Sequence, residues 1–235
     1  MLTIPPKRPV RFFNTTGPCN PWDHYMLPPA DRLVGAQLHR YIRDKLYWVL
    51  HAPRQTGKTT FIRDWAREIN SKGGATACYT SLEACQGISE RAEAMITMHK
   101  AICESARAWN VPIPELPLNN PELLLYETMR RWAELTMPEP LIVLFDEVDV
   151  LEGEMLISFL RQLRNGFAER EAGKFPVSIA LVGMRDLKDY ITAAKGGVAP
   201  NPGSPFNIKS DSVVLSNFTQ TDIEKLFAQR TEETG

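Results

Sequence analysis

The sequence APRQTGKT at residues 52–59 decides the fold of this chain. It fits the phosphate-binding pattern G-x-x-x-x-G-K-[ST] at every defining position except the first, where Ala52 replaces glycine. A loop of this kind turns successive backbone N–H groups inward and forms a concavity that binds anions. We expect Lys58 to reach the β- and γ-phosphates of a nucleotide and the Thr59 hydroxyl to bind Mg²⁺. The nucleotide-binding residues predicted in this segment are Ala52, Pro53, Arg54, Gln55, Thr56, Gly57, Lys58, Thr59 and Thr60.

The sequence on both sides of the loop supports this interpretation. Residues 46–51 form an apolar, β-prone run, and residues 60–69 carry apolar side chains at helical spacing. Strand, loop and helix therefore follow in the order that a phosphate-binding loop requires. The alternative, a Gly-Lys-Thr turn without a ligand, is disfavoured by this order.

A second group of candidate residues follows the most hydrophobic run of the chain. Residues 141–145 read LIVLF and are followed by Asp146 and Glu147. In a doubly wound sheet, ligands bind at the carboxyl ends of the strands, so Asp146 should emerge beside the phosphate loop. We expect Asp146 to hold Mg²⁺, directly or through water, and Glu147 to polarise the water that attacks the γ-phosphate. The alternative is a pair of carboxylates that caps the next helix.

The charged residues at and near this edge of the sheet also bear on the type of reaction. The acidic pair favours hydrolysis over phosphoryl transfer, because a kinase uses the hydroxyl of its acceptor and needs no second carboxylate to activate water. Arg185 follows a predicted strand and could contact the γ-phosphate as a sensor, or form a salt bridge with a nearby aspartate. Arg161 and Arg164 could supply an arginine finger to a neighbouring subunit, or lie on a solvated helix face. Asp149 is assigned no catalytic role.

The remaining periodicity predicts an α/β fold. Further strands are predicted at residues 75–81, 177–183 and 213–215, and helices at residues 31–45, 89–109, 122–135 and 156–167 and from residue 219 onward. Strands that alternate with helices form a parallel sheet with helices on both faces, which makes three layers. Residues 195–205 are rich in glycine and proline and are predicted to be mobile.

Composition limits the class of protein. The 235 residues suit one α/β domain, alone or with a fragment of a second. The net charge of −1 gives no indication of nucleic-acid binding, although a local basic patch stays open. There is neither a membrane-spanning run nor a signal peptide, so we expect a cytoplasmic protein that does not enter a membrane. The four cysteines and four histidines lack zinc-binding spacing, and free thiols are expected.

Together these motifs resemble the AAA+/STAND group of P-loop ATPases and, more narrowly, the bacterial AAA-like ATP-binding proteins. The resemblance covers the chain from about residue 11 to the end. It rests on YMLPP at residues 25–29, HAPRQTGKTT at 51–60, LFDEVD at 144–149, LRQLR at 160–164, LVGMRD at 181–186, SPFNI at 204–208 and NFT at 217–219. It implies a sheet of five strands in the order 5-1-4-3-2, ATP as the nucleotide, and an adenine-binding surface at or near Tyr25, Met26, Leu27 and Arg32. The apolar side chains of the N-terminal arm suit a purine ring.

The resemblance also implies a division of the chain and an activity. Residues 1–30 would form an extended arm near the adenine, residues 31–216 the ATPase core, and residues 217–235 the start of a truncated helical lid. Similar proteins tolerate a small residue at the position of Ala52. The expected activity is Mg²⁺-dependent ATP hydrolysis, slow in isolation, that drives a conformational switch. The alternatives are a nucleic-acid-associated ATPase such as a loader or transposition helper, a small-molecule phosphotransferase, and a nucleotide-binding module with little turnover. A homo-oligomer or a protein partner is left open.

Overall fold

A five-stranded parallel sheet organises the part of the chain that the computed structural model describes, residues 10–33, 38–186 and 209–235. The strands are β1 (Tyr47–His51), β2 (Thr76–Ser81), β3 (Leu141–Asp146), β4 (Ser178–Gly183) and β5 (Lys209–Val214). Their order is β2-β3-β4-β1-β5, and every neighbouring pair is parallel. This is the predicted order 5-1-4-3-2 read from the other edge, so the fold prediction is confirmed.

Helices connect the strands and cover both faces of the sheet. The α-helices of the described segments are α1 (Leu38–Arg43), α2 (Lys58–Lys72), α3 (Arg91–Ala108), α4 (Leu124–Thr136), α5 (Gly153–Gly166) and α6 (Gln220–Thr234). Short 3-10 helices lie at Pro29–Arg32, Glu83–Cys85, Pro121–Leu123, Val148–Val150 and Phe167–Ala172. Most predicted elements begin and end within a few residues of these bounds, and β5 begins earlier than predicted. None of the described helices is long and apolar enough to cross a bilayer.

The central strand β3 shows why the molecule has three layers. All six residues of β3 are buried, and their side chains alternate between two cores. Val143 and Phe145 belong to the core under α3, α4 and α5, whereas Ile142 and Leu144 belong to the core under α1 and α2. The continuous hydrophobic run of β3 therefore packs against both helical layers, and Asp146 lies at the carboxyl edge of the sheet, where β3 ends.

The predicted helix over residues 31–45 is wrong in its first part. A 3-10 turn at Pro29–Arg32 ends at Leu33, whose φ and ψ of −88° and 79° are not helical, and α1 comprises Leu38–Arg43. The carbonyl oxygen of Arg32 accepts from the backbone N and the hydroxyl of Ser216, so it is not free for a helical partner. A tertiary contact that local sequence does not encode overrides the helical pattern. The glycine- and proline-rich stretch 195–205 lies outside the described residues.

The N-terminal arm packs against α6 through aromatic side chains. The Phe13 ring lies 5.0 Å from the Tyr25 ring and 5.2 Å from the Phe227 ring of α6. Arg11 forms an ion pair with Glu233 of α6 at 3.1 Å. These contacts explain why the arm carries Phe13 and Tyr25, while the division into arm, core and lid stays a prediction.

Candidate functional site

The loop after β1 bends sharply before α2 begins. Gln55 and Gly57 have φ of 60° and 92°, in the left-handed region that favours glycine. The Thr56 hydroxyl donates to the carbonyl oxygen of Pro53 at 2.9 Å and closes the turn. Ala52, which replaces the first glycine of the pattern, does not have a positive φ, so alanine fits there without backbone strain.

The ammonium group of Lys58 lies back over this loop. Its Nζ donates to the carbonyl oxygens of Ala52 and Pro53, both at 2.8 Å. Burial lowers the pKa of Lys58, and the carboxylates of Asp146 and Glu147 oppose that shift. The positive charge of Lys58 is thus paired only with neutral carbonyl groups of the loop. Because a loop of this kind also presents backbone N–H groups, the site suits a phosphate ligand.

A buried carboxylate at the end of β3 meets the start of α2. Asp146, which is 2% exposed, accepts through Oδ2 from the Thr59 hydroxyl at 2.6 Å and from the Tyr79 hydroxyl at 3.3 Å. Its Oδ1 accepts from the backbone N of Glu147 at 3.0 Å. Burial raises the pKa of Asp146, and these hydrogen bonds oppose that shift. The Thr59 hydroxyl and the Asp146 carboxylate thus place the oxygen ligands that Mg²⁺ prefers next to the loop.

Two more carboxylates follow Asp146 at the same edge of the sheet. Glu147 has a φ of 57° and is partly buried, and burial, followed by the charges of Asp146 and Asp149, raises its pKa. The Oδ1 atom of Asp149 is buried and has no hydrogen-bond partner among the described residues. A Cβ atom at Gly183, the last residue of β4, would lie 3.0 Å from this oxygen. The 3-10 helix that follows β3 therefore packs closely against the end of β4.

An open cleft of about 1280 Å³ is lined by half of the predicted site residues. Lys58 and Thr59 line it together with Glu147, and Asp146 lies behind Thr59. The loop contributes Arg54, Gln55, Thr56, Gly57 and Thr60 to the cleft wall. The geometry thus brings the two predicted motifs into one site, although 87 residues separate Thr59 from Asp146.

The predicted arginines occupy less direct positions. Arg185 is exposed, two residues beyond the end of β4, and its neighbour Met184 lines the cleft. Arg161 and Arg164 are exposed on α5. The sensor and finger roles of these residues stay predictions.

The four residues predicted to bind adenine are dispersed. Tyr25 is buried against Phe13, and Leu27 is half-buried. Met26 lines a separate apolar cleft of about 370 Å³. Arg32 is buried behind the phosphate loop, and burial lowers the pKa of its guanidinium, an effect that Asp222 opposes.

Sequence reasoning missed two contributions to the site. Residues 14–19 of the arm line the cleft, where the backbone N of Cys19 donates to the Thr60 hydroxyl at 3.0 Å. The polar run NTTGPC between aromatic residues was the available signal, since it is typical of a turn. Tyr79 of β2 pairs in register with Leu144 and reaches Asp146 two residues further along β3. Only the strand order places it there.

Comparison with known proteins gives structural neighbours only. No protein-family model matches the sequence, and no curated protein matches it significantly. The solved structure of Cdc6p from Pyrobaculum aerophilum is similar, with a TM-score of 0.53 and 18% identity over 87% of this chain and 48% of that chain. A Walker-type ATPase of Pyrococcus abyssi gives a TM-score of 0.57 and 15% identity over 93% of this chain and 61% of that chain. The structure of Drosophila ORC bound to poly(dA/dT) DNA and Cdc6 gives a TM-score of 0.55 and 13% identity over 86% of this chain and 31% of that chain.

These likenesses, at low identity, establish the fold. The chain has a three-layer α/β P-loop NTPase fold, and its strand order agrees with that fold. It spans less than two thirds of the length of each of these three chains.

Proposed function

We propose that this protein binds and hydrolyses ATP with Mg²⁺, and that the nucleotide state switches the loops around the site, as in AAA+/STAND-like proteins. The observation that carries the proposal is the 2.6 Å hydrogen bond between Thr59 and Asp146. It joins the phosphate loop to the acidic end of β3, with Lys58 and Glu147 beside it. No simpler role, such as a helix cap, requires these four side chains to meet.

The residues at the loop fit a triphosphate. Lys58 can exchange its bonds to two loop carbonyl oxygens for charge-assisted bonds to phosphate, which are stronger. Gly57 adopts a left-handed conformation at the point where α2 begins, so the first N–H groups of this helix add to the anion-binding potential of the loop. The loop therefore binds and orients phosphate through its backbone and through one cation.

The residues at the metal position also fit. Thr59 and Asp146 offer a hydroxyl and a carboxylate oxygen, a donor set that suits Mg²⁺. Thr59 and Asp146 would hold the Mg²⁺ that accompanies the nucleotide, and the ion would supply positive charge to offset that of the phosphates. Tyr79 keeps the Asp146 carboxylate oriented through its own hydroxyl group.

Glu147 is the general base in this proposal. Burial and two neighbouring carboxylates raise its pKa, which strengthens it as a proton acceptor. A second carboxylate beside Asp146 suits activation of water, whereas a kinase uses the hydroxyl of its acceptor. Arg185 is proposed as the γ-phosphate sensor, because it follows the end of the neighbouring strand β4.

Two substitutions test the assignment. Lys58→Ala should abolish binding of Mg·ATP, whereas Lys72→Ala at the other end of α2 serves as the matched control and should bind normally. Glu147→Gln should bind ATP without releasing phosphate, and the control Glu83→Gln, at an exposed acid in the same cleft, should retain turnover. Normal ATP binding by Lys58→Ala, or undiminished turnover by Glu147→Gln, would refute the proposal.

A second candidate function is nucleic-acid-associated ATP hydrolysis, such as that of a loader or transposition helper. One similar structure, that of ORC, is bound to DNA, and this supports the alternative. The net charge of −1 argues against it. Phosphate release should be measured with and without DNA at physiological salt, at several protein concentrations. Stimulation by DNA favours this second function, and a dependence on concentration indicates a homo-oligomer.

We propose that the protein is cytoplasmic. All four cysteines are free thiols, and three of them are buried. A reducing compartment suits this state.

A further inference from the structure

One buried arginine connects the phosphate loop with the chain that leads into α6. Arg32 is 6% exposed, and its Nη2 donates to the carbonyl oxygen of Thr56 at 2.5 Å. Its Nη1 donates to the carbonyl oxygen of Ser216 at 3.0 Å. The guanidinium carbon lies 4.1 Å from the centre of the Phe218 ring. The same side chain therefore holds two backbone segments that are far apart in sequence.

The contact with Thr56 fixes the orientation of one peptide group of the loop. In a trans peptide the carbonyl oxygen and the next N–H point in opposite directions, so a bond to the Thr56 oxygen directs the Gly57 N–H away from Arg32. Gly57 lines the cleft, whereas Arg32 is not among the residues that line it. Arg32 thus supports from behind a peptide whose N–H faces the ligand side.

Gly57 shows how closely Arg32 packs against the loop. A Cβ atom at this position would lie 2.9 Å from Arg32 Nη2, which is nearer than real Cβ contacts come. Glycine is therefore needed here for its left-handed φ and also for the space that the guanidinium occupies.

The other end of the arrangement is the connection between β5 and α6. Ser216 donates two hydrogen bonds to the carbonyl oxygen of Arg32, one from its backbone N at 3.4 Å and one from its hydroxyl at 2.9 Å. Thr219, three residues later, caps α6 in a capping box. Movement of the loop peptide would therefore be transmitted through Arg32 to the residues that fix the start of α6.

We propose that Arg32 is a positioning residue that orients the Thr56–Gly57 peptide for phosphate binding and couples the loop to the start of α6. The inference rests on the proposed nucleotide binding. It assigns Arg32 a role behind the phosphates in place of one at the adenine. A lysine cannot replace it, because one ammonium group does not present the planar fork that spans two carbonyl oxygens and stacks on a ring.

The test compares nucleotide affinity with ligand-dependent protection of the α6 connection. Binding of Mg·ADP and Mg·ATPγS is measured by calorimetry, and amide exchange of residues 216–234 is followed with and without each nucleotide. Arg32→Lys should lower affinity roughly 10- to 100-fold, the range for a lost hydrogen bond to a charged group, and should abolish the protection. Phe218→Leu should keep affinity within a few-fold but weaken the protection. Arg11 also forms an ion pair with α6 but does not contact the loop, so the control Arg11→Lys should change neither the nucleotide affinity nor the ligand-dependent protection.

The outcomes separate this inference from the proposed function. If the wild type binds neither nucleotide, the proposed function fails and the inference fails with it. If the wild type binds and folded Arg32→Lys retains both affinity and protection, only the inference is overturned. If Arg32→Lys does not fold, Phe218→Leu decides, and unchanged ligand-dependent protection in that variant would overturn the coupling.

Discussion

Replacing Gly57 by alanine is the most direct test of how the phosphate loop is built. Gly57 has a φ of 92° and ends the loop immediately before α2. An alanine there meets two separate obstacles, a backbone conformation that L-residues avoid and the guanidinium of Arg32 at 2.9 Å. The first obstacle is shared with other left-handed glycines of the fold, and the second is particular to this position.

The structure gives a magnitude for each obstacle. A left-handed conformation costs an L-residue about 1–2 kcal/mol. An alanine Cβ atom requires Arg32 Nη2 to move, and loss of its hydrogen bond to Thr56 would cost about 1.5–3 kcal/mol, the contribution of a bond to a charged group. Gly57→Ala should therefore lower the free energy of unfolding by about 2.5–5 kcal/mol in the absence of ligand.

Urea denaturation with linear extrapolation measures this loss. Gly173→Ala is the matched control, because Gly173 has a φ of 71° but nothing lies within 4 Å of the point that a Cβ atom would occupy there, so only the backbone cost of about 1–2 kcal/mol applies. In an Arg32→Lys background the destabilisation by Gly57→Ala should shrink toward that of the control, because the free-energy effects of substitutions at residues in contact are not additive. Equal losses for the two glycine variants, or an undiminished loss in the Arg32→Lys background, would refute the reasoning.

Three further predictions concern the core, a helix end and pH. Gly166→Ala should cost about 1–3 kcal/mol in urea denaturation, because the new Cβ would lie 2.1 Å from the buried Phe175 ring; the exposed neighbour Asn165→Ala should be nearly neutral, and equal effects would contradict this. Thr219→Ala should destabilise the start of α6 by about 1 kcal/mol through loss of its capping box, seen as faster amide exchange there, and unchanged exchange would contradict it. Burial lowers the pKa of His99, so the unfolded chain takes up a proton first as the pH falls. Stability should therefore be lost below about pH 6.5, and His99→Leu should lose less between pH 7.5 and 5.5; equal slopes for parent and variant would refute this.

The sequence was sufficient where local pattern and motif agree. The run at residues 141–145 has no polar position, which requires burial on both faces, and β3 is buried throughout. The order of strand, loop and helix around Lys58 follows from the motif itself. Because parallel strands share one carboxyl edge, the approach of Asp146 to Thr59 was also predictable before any distance was known.

The parts that could not be predicted depend on contacts between distant segments. Leu33 leaves the helical pattern because Ser216 occupies the preceding carbonyl oxygen, and nothing near residue 33 signals this. Tyr79 can donate a hydrogen bond to Asp146 only because β2 pairs with β3 in the sheet. The resemblance alone associates Arg32 with the adenine, and only the fold brings its side chain to the carbonyl oxygens of Thr56 and Ser216.

Backbone strain supports the location of the site independently of the motifs. Four non-glycine residues in the described part of the chain have a positive φ, and two of them, Gln55 and Glu147, lie in the cleft wall. Such a conformation costs about 1–2 kcal/mol for each residue and persists only where the surroundings impose it. At Glu147 it coincides with a carboxylate whose pKa burial raises, next to the still more deeply buried Asp146. A positive φ and a raised pKa at one residue are typical of functional sites, and this supports the proposed role of Glu147 as general base.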